Sequence, residues 1–344
     1  MNIREVARRA KVSTATVSRT INGSDKVTPE TKERVQRAIE ELGFYPNTWA
    51  RALGSGRSSL YGLIISDITN PFFPELVKSF EDIAVQNGQE VLVANTNYDP
   101  ARMEVCVSRM LQRKVDGVAI MTSEMDARLI TEFRSRDIPL VFLDTGAAEN
   151  LTSNIIVDYA AGVDAAVEHL VHLGHTEIAF ISGPPMLRSA RVRRDAFVGC
   201  LQRHGIGADW IEEGNHQVNG GHDAMARLLG RERRPTAVLA SNDMTAIGAL
   251  GVIHERRLRV PDDISIVGFD DIQISAFTQP ALTTVRLSRD EIARVAFRAL
   301  YNSRQDGGKG VEYGVRPALV VRRSTGKAPR SPRGVHEEAG AAQA

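Results

Sequence analysis

From residue 60 onward the chain alternates short apolar runs with longer amphipathic stretches. Tyr61–Ser66, Glu90–Asn95, Gly117–Met121 and Leu140–Leu143 read as strands, followed by Ile178–Ser182, Ala237–Ala240 and Ser265–Phe269. The stretches between them carry a helical period. In Pro74–Asn87, Leu76, Phe80, Ile83 and Ala84 fall in phase before Gly88; in Tyr159–Leu173, Val163, Ala166, Val167, Leu170 and Val171 do so before Gly174. Apolar strands separated by amphipathic helices imply parallel sheets covered on both faces. Roughly 260 residues of this pattern exceed one doubly wound unit, so two sequential α/β lobes are expected, with a seam near residue 158.

The first 58 residues follow a different pattern. Ile3, Val6, Ala7 and Ala10 recur at helical spacing. Ser13 is a good helix N-cap, and after it Val17 and Ile21 share an apolar face while Ala15, Ser18, Arg19 and Asn22 lie opposite. Two short helices, the second with a small, polar and basic outer face, describe a helix-turn-helix whose second helix could enter a major groove. Thr28-Pro29-Glu30 supplies an N-cap, an N1 proline and a first-turn acid for a third helix, with Val35, Ile39 and Leu42 inward and Gly43 as its stop. Pro46–Leu53 reads as a very short helix, marginal on its own in water, and a Gly/Ser run follows it. The expected division is therefore a helix-turn-helix head over 1–45 and a hinge helix with its linker over 46–58. A core over 59–324 follows, with lobe 1 formed by 59–158 plus 287–316 and lobe 2 by 159–286 plus 317–324. The Pro-, Arg- and Ala-rich stretch 325–344 is expected to be disordered.

Charge sharpens this division. The overall net charge is +1, but residues 1–58 carry +5 and the remainder −4. A basic head on a mildly acidic body fits a nucleic-acid reader joined to a domain with another task. Cys106 and Cys200 are the only cysteines, far apart and without a C-x-x-C pattern, which argues against a disulfide scaffold or zinc site. His169, His172 and His175 step along one strip, but no cysteine or acid completes a metal set, so no metal and no cofactor are expected. Without an apolar leader or a bilayer-length apolar run, a cytoplasmic protein with no membrane partner is expected.

In open α/β sheets, ligands bind beyond the carboxyl ends of the strands. Those ends are followed here by Asp67 and Asn70-Pro71-Phe72-Phe73, by Asp144, by Asn242-Asp243 and by Asp270-Asp271. Carboxylates and amides bridge hydroxyls, and aromatic faces stack on C–H faces, so the set suits a sugar. Each residue alone has a plainer reading, because Asp or Asn after a strand commonly caps the next helix. No G-x-S-x-G, P-loop or G-x-G-x-x-G motif is present, and no nucleophile–base pair stands out, so an enzyme is not expected.

Several runs together resemble the LacI/GalR family of bacterial transcription regulators. In the head these are Ile3–Ala7, Val12–Asn22 and Leu42–Asn47; in the body they are His169–His175, Ser241-Asn242-Asp243, Val267–Asp271 and Pro280–Thr284. The resemblance implies an α/β fold class: a three-helix head and hinge helix, then a two-lobed, periplasmic-binding-protein-like core of parallel sheets. It implies a sequence-specific repressor that binds a palindromic double-stranded DNA operator as a homodimer, controlled by a small-molecule effector, expected to be a monosaccharide. Carried over by position, Thr14 and Ala15 would set operator preference and Arg19 would reach base edges or phosphates. Thr16, Ser18 and Asn22 would lie at the phosphates. Asn47, Ala50 and Leu53 belong to the hinge helix, with Leu53 as the leucine that parts a central base step. For the effector, Asn70, Asp144, Ser189, Arg193, Asn242 and Asp270 would grip hydroxyls, and Phe72 and Phe73 would stack on the ring.

Some positions depart from the family pattern. Lys11 stands where the turn often has glycine, and a left-handed residue there costs about 1–2 kcal/mol. His216 replaces an aromatic ring over the ligand, Leu287 an amide of ribose-type sites, and Leu187 an arginine of the purine-binding branch. These departures lean away from a purine. A sugar phosphate or nucleoside is the alternative effector. A transport binding protein shares the body pattern but would lack the head.

Overall fold

The structure is a computed structural model that describes residues 2–21, 23–44, 57–122, 125–303 and 308–329. The chain divides near residue 60 into two compact units.

In the first unit, α1 (Ile3–Ala10) starts at a capping box. The Asn2 side chain accepts from the backbone of Arg4 and Glu5, and Glu5 answers to the Asn2 backbone. The helix stops at Lys11, which takes the left-handed conformation with φ 53°. In α2 (Thr14–Ile21), Ser13 Oγ accepts from the Thr16 N–H at 3.1 Å, the capping bond its sequence implied. Gly43 ends α3 (Pro29–Leu42) with φ 57°. Thr28 makes no such cap; its hydroxyl donates to Thr31 Oγ1 instead. Val6, Ala10, Val17 and Val35 meet in a small core that Ile3, Val12, Ile21 and Leu42 flank.

The second unit opens with β1 (Leu60–Ile65), α4 (Phe72–Gln86), β2 (Glu90–Asn95), α5 (Pro100–Gln112), β3 (Gly117–Met121), α6 (Ala127–Arg134), β4 (Leu140–Leu143) and β5 (Thr152–Val157). It continues through α7 (Tyr159–His172), β6 (Ile178–Ser182), α8 (Arg188–Arg203), β7 (Ile211–Glu213), α9 (Val218–Leu229), β8 (Ala237–Ala240), α10 (Asp243–Glu255) and β9 (Ser265–Asp270). After a 3-10 turn at Gln273–Phe277 come β10 (Thr283–Arg286), α11 (Arg289–Ser303), β11 (Glu312–Val315) and β12 (Ala318–Val320). Two six-stranded sheets result, ordered β11-β5-β4-β3-β1-β2 and β12-β10-β9-β8-β6-β7. The described pairings are parallel except β10 with β12. The chain crosses between sheets after β5, after β10 and between β11 and β12. No helix among the described residues is long and apolar enough to span a membrane.

Three differences from the sequence reading matter. The helix expected from Pro74 begins at Phe72, so both phenylalanines sit in its first turn. Strands β5, β7, β10 and β11 lack a clean apolar run, and β12 is an apolar run of only three residues. In β5, Thr152, Ser153 and Asn154 are buried polar residues: Ser153 Oγ accepts from the Val311 N–H, and Asn154 Nδ2 donates to the Gly146 carbonyl. The third difference corrects the expected start of disorder at residue 325. Residues 325–329 are ordered against the second lobe, where the Ala328 N–H donates to the Leu173 carbonyl, Thr325 Oγ1 meets His169 Nε2, and the Gly326 carbonyl lies 3.1 Å from His175 Nε2. His175 is fully buried, with Thr236 Oγ1 on its Nδ1, so it staples this segment.

Candidate ligand-binding cleft

The carboxyl ends of both sheets face one cleft, which encloses a cavity of about 100 Å³. The first lobe contributes Asn70, Phe72 and Phe73 beyond β1 and Asp144 beyond β4, and Tyr159 stands at the start of α7, where the chain has crossed to the second lobe. The second contributes Ser189 and Arg193 from α8, His216, Asn242 and Asp270. All eight residues singled out from the sequence for an effector thus line one cavity.

Two of them are heavily used by the protein itself. Asp144, held in the left-handed region at φ 58°, accepts from the Val157 N–H at 2.7 Å and from the Tyr159 hydroxyl at 2.6 Å. Burial raises its pKa, against the pull of those hydrogen bonds. Asn242 is the N-cap of α10: its Oδ1 accepts from the Thr245 N–H and its Nδ2 donates to the His216 carbonyl. The plainer reading of a post-strand asparagine therefore holds at Asn242 alongside its place in the cavity wall. Asn70 Oδ1 likewise accepts from the Phe72 N–H, which starts α4 and sets Phe72 and Phe73 edge to face, 5.3 Å apart.

Arg193 and Asp270 are different. Arg193 is the buried member of the arginine-rich helix α8, only 6% exposed. Its guanidinium lies over the rings of Phe269 at 4.3 Å and Tyr159 at 4.6 Å, and one nitrogen donates to the Ser241 carbonyl. Its Nε is buried without a partner. Asp270, also 6% exposed and at φ 107°, has a carboxylate with no hydrogen-bond donor among the described residues. Burial pushes its pKa up to about 6, against the opposing charges of Arg193 and Arg289. The cleft thus holds an unanswered acceptor and an unanswered donor, both desolvated before any ligand arrives.

His216 completes the wall. Its backbone is left-handed, φ 63°, and its buried ring carries an unpaired Nε2. Burial, then the Arg193 charge, lowers its pKa to about 3, so the ring is neutral at ordinary pH. A Cβ at Gly183 would come within 1.8 Å of Nε2, so only glycine leaves room for the imidazole there.

In the head, Thr14, Ala15, Ser18 and Arg19 are exposed on α2, and Val17 is its one buried residue. Thr16 is half-buried, with its hydroxyl 2.9 Å from Ser13 Oγ. Asn22, Asn47, Ala50 and Leu53 lie outside the described residues.

The two units match two families. Residues 2–47 match "Bacterial regulatory proteins, lacI family", and residues 167–325 match "Periplasmic binding protein-like domain". A relative from Histophilus somni (strain 2336), the HTH-type transcriptional repressor PurR, is 33% identical over 328 residues, covering 94% of this chain and 98% of its own. The ribose operon repressor of Escherichia coli (strain K12) is 34% identical over 302 residues, covering 87% of this chain and 91% of its own. A crystal structure of the Lac repressor dimer bound to operator and the anti-inducer ONPF superposes with a TM-score of 0.84 at 30% identity, covering 95% of this chain and 99% of that one. The chain belongs to the LacI family.

As a LacI-family protein it is a DNA-binding repressor with an effector domain, not an enzyme. Its helix-turn-helix head is the DNA-binding part. Some cavity residues carried no clear signal in the sequence. Tyr159 follows a strand whose polar residues hid it, and Arg188, an exposed arginine among several, crosses the cleft to donate to the Asp144 carbonyl at 3.0 Å. Leu187 and Leu287, noted only as departures from the family, add apolar wall.

Proposed function

We propose that this repressor's operator binding is controlled by a monosaccharide held in the cleft between its lobes. The observation that carries the reading is the Asp270 carboxylate together with the Arg193 Nε, both buried and without hydrogen-bond partners among the described residues, in a cavity that Phe72 and Phe73 also line. Vicinal hydroxyls can donate to a carboxylate and accept from a guanidinium at once, and a ring C–H face suits the phenylalanines. A cavity of about 100 Å³ takes a single small ring. Leu187, standing where the purine-binding branch has an arginine, supplies no charge for a purine.

The proposed mechanism is allosteric. Effector changes the closure of the two lobes. In a homodimer that change alters the spacing of two hinge helices on a palindromic operator. Thr14, Ala15 and Arg19 would read base edges, Thr16, Ser18 and Asn22 would lie at phosphates, and the hinge residues Asn47, Ala50 and Leu53 would enter the minor groove.

Thermal unfolding against panels of monosaccharides, sugar phosphates and nucleosides tests the effector. A ligand at a hundredfold excess over its Kd stabilises by about 2.7 kcal/mol, a rise of several degrees in Tm. A monosaccharide is expected to give that rise, and Arg193→Ala to abolish it. A response confined to phosphates or nucleosides, or one retained by Arg193→Ala, would refute the reading.

A further inference from the structure

The turn that carries Asp270 has an unusual backbone. Asp270 and Asp271 follow one another at φ 107° and φ 55°, in the region that favours glycine, although both bear side chains. The Asp270 carboxylate has no hydrogen-bond donor among the described residues, so its direction is set by that backbone. We propose that Asp243, acting with Thr284, is a positioning residue of the effector site: it fixes the turn 270–272 and so aims Asp270 into the cavity without touching the ligand. The proposal rests on the reading of the cleft as the effector site and adds to it a residue from outside the cavity wall.

Asp243 opens α10 directly after the N-cap Asn242, and an acid in a first turn ordinarily serves the dipole of its own helix. This one is wholly buried, and both of its side-chain hydrogen bonds leave the helix. Its Oδ2 accepts from the Ile272 N–H at 2.9 Å, and its Oδ1 accepts from the Thr284 hydroxyl at 2.5 Å. Thr284 Oγ1 in turn accepts from the Asp271 N–H at 3.3 Å. Two successive amides of the turn are thus tied to one carboxylate, one directly and one through a hydroxyl. The sheet leaves room for it. Thr284 of β10 stands beside Gly268 of β9, and a Cβ at Gly268 would come within 2.1 Å of Asp243 Oδ1.

The carbonyl side of the same turn is held differently. Arg289 donates to the carbonyls of Asp270 and Asp271, but it belongs to α11, which packs on the first sheet. That hold needs both lobes together. The Asp243–Thr284 hold comes from α10 and β10 of the second lobe alone, so it keeps Asp270 aimed whether or not the lobes are closed. A side chain aimed before the ligand arrives spares the ligand the cost of ordering it. Burial, then the charge of Asp270, pushes the pKa of Asp243 well up. The role asks hydrogen bonds of Asp243 rather than charge.

Two measurements on the full chain test this. One is calorimetric titration with D-ribose, D-glucose and D-galactose. The other is the Asp270 pKa, followed by carboxyl-carbon NMR in aspartate-labelled protein and assigned with Asp270→Asn. Thr284→Val removes the hydroxyl at nearly constant volume. It is expected to weaken the sugar that binds by tenfold or more, and to lower the Asp270 pKa from about 6 into the ordinary carboxylate range as the freed side chain turns to solvent. Thr284→Ser keeps the hydroxyl and Asp243→Asn keeps an acceptor for the Ile272 N–H, so both should hold the sugar within threefold. Thr283→Val is the control for a merely structural role: equally buried on the other face of β10, it should cost similar thermal stability and leave both measurements unchanged. Should Thr284→Val fail to fold, Asp243→Ser, too short to reach Ile272 and Thr284 together, carries the same expectation. An unchanged Asp270 pKa, or equal losses in Thr283→Val, would overturn the positioning role. If none of the three sugars binds, the sugar reading falls, and the Asp270 titration alone decides the positioning.

Discussion

Asp270 ties the chemistry of the cleft to pH. Its carboxyl titrates at about 6 in the free protein because burial outweighs Arg193 and Arg289. Ligand hydroxyls that donate to it favour the ionised form, so its pKa must fall on binding. Affinity is then greatest above pH 6 and declines as pH drops below 6, approaching tenfold per unit while the bound form remains ionised. Asp270→Asn should bind weakly and with a flat profile between pH 5 and 7. Titrations showing the same pH dependence in Asp270→Asn as in the parent would assign the effect to another group. The residue itself was legible because it ends the apolar run Ser265–Phe269, where α/β sheets present their sites. Its lack of a partner was not legible: nothing in the sequence separates it from Asp271, one residue on, whose carboxylate is taken by Arg286 and Arg322 at 2.6 Å each. Asn242 makes the complementary point, since one side chain both caps a helix and lines the cavity.

At the scale of elements, the pattern was clearest where one physical term dominates. Strands buried on both faces announced themselves as apolar runs, and so did helices with one apolar face. β5 did not, because its buried Thr152, Ser153 and Asn154 are satisfied by hydrogen bonds that only the folded neighbours Val311 and Gly146 provide. β10 hides Thr283 and Thr284 in the same way: Thr284 Oγ1 donates to Asp243 Oδ1 and the Thr283 N–H to Ser324 Oγ. The hinge is the opposite case, an element whose sequence allows a helix too short to be stable alone. If Pro46–Leu53 folds only on DNA, with Leu53 wedged into a central base step, two properties should change together. Leu53→Ala is expected to weaken operator binding by tenfold or more and to reduce operator bending, measured by gel mobility of circularly permuted fragments. The head's own melting should be unaffected. Unchanged affinity and bending would remove the wedge.

Within the effector unit, one cluster of polar contacts joins the two lobes beside the cleft. Glu75 of α4 accepts from the Gln273 N–H at 2.9 Å and from Arg289 Nε at 2.9 Å. The same guanidinium donates to the carbonyls of Asp270 at 2.6 Å and Asp271 at 2.8 Å. Glu75 belongs to the first lobe and β9 to the second, so the cluster is made only when the lobes stand as they do here. It also fixes the backbone of Asp270. On the proposed effector reading, this clasp is one route, beside Arg188 on the Asp144 carbonyl, by which occupation of the cleft and the standing of the lobes would be linked. Arg289→Ala should weaken effector binding and, more tellingly, shrink the factor by which saturating effector changes operator affinity. Couplings of this kind are typically about 1–3 kcal/mol. Reciprocity makes the test strict: the factor measured on DNA affinity with and without effector must equal the factor on effector affinity with and without operator. Arg286→Ala is the control, because Arg286 pairs with the Asp271 carboxylate inside the second lobe alone. If Arg289→Ala and Arg286→Ala leave the coupling factor equally intact, closure is communicated by packing between the lobes and not by this clasp.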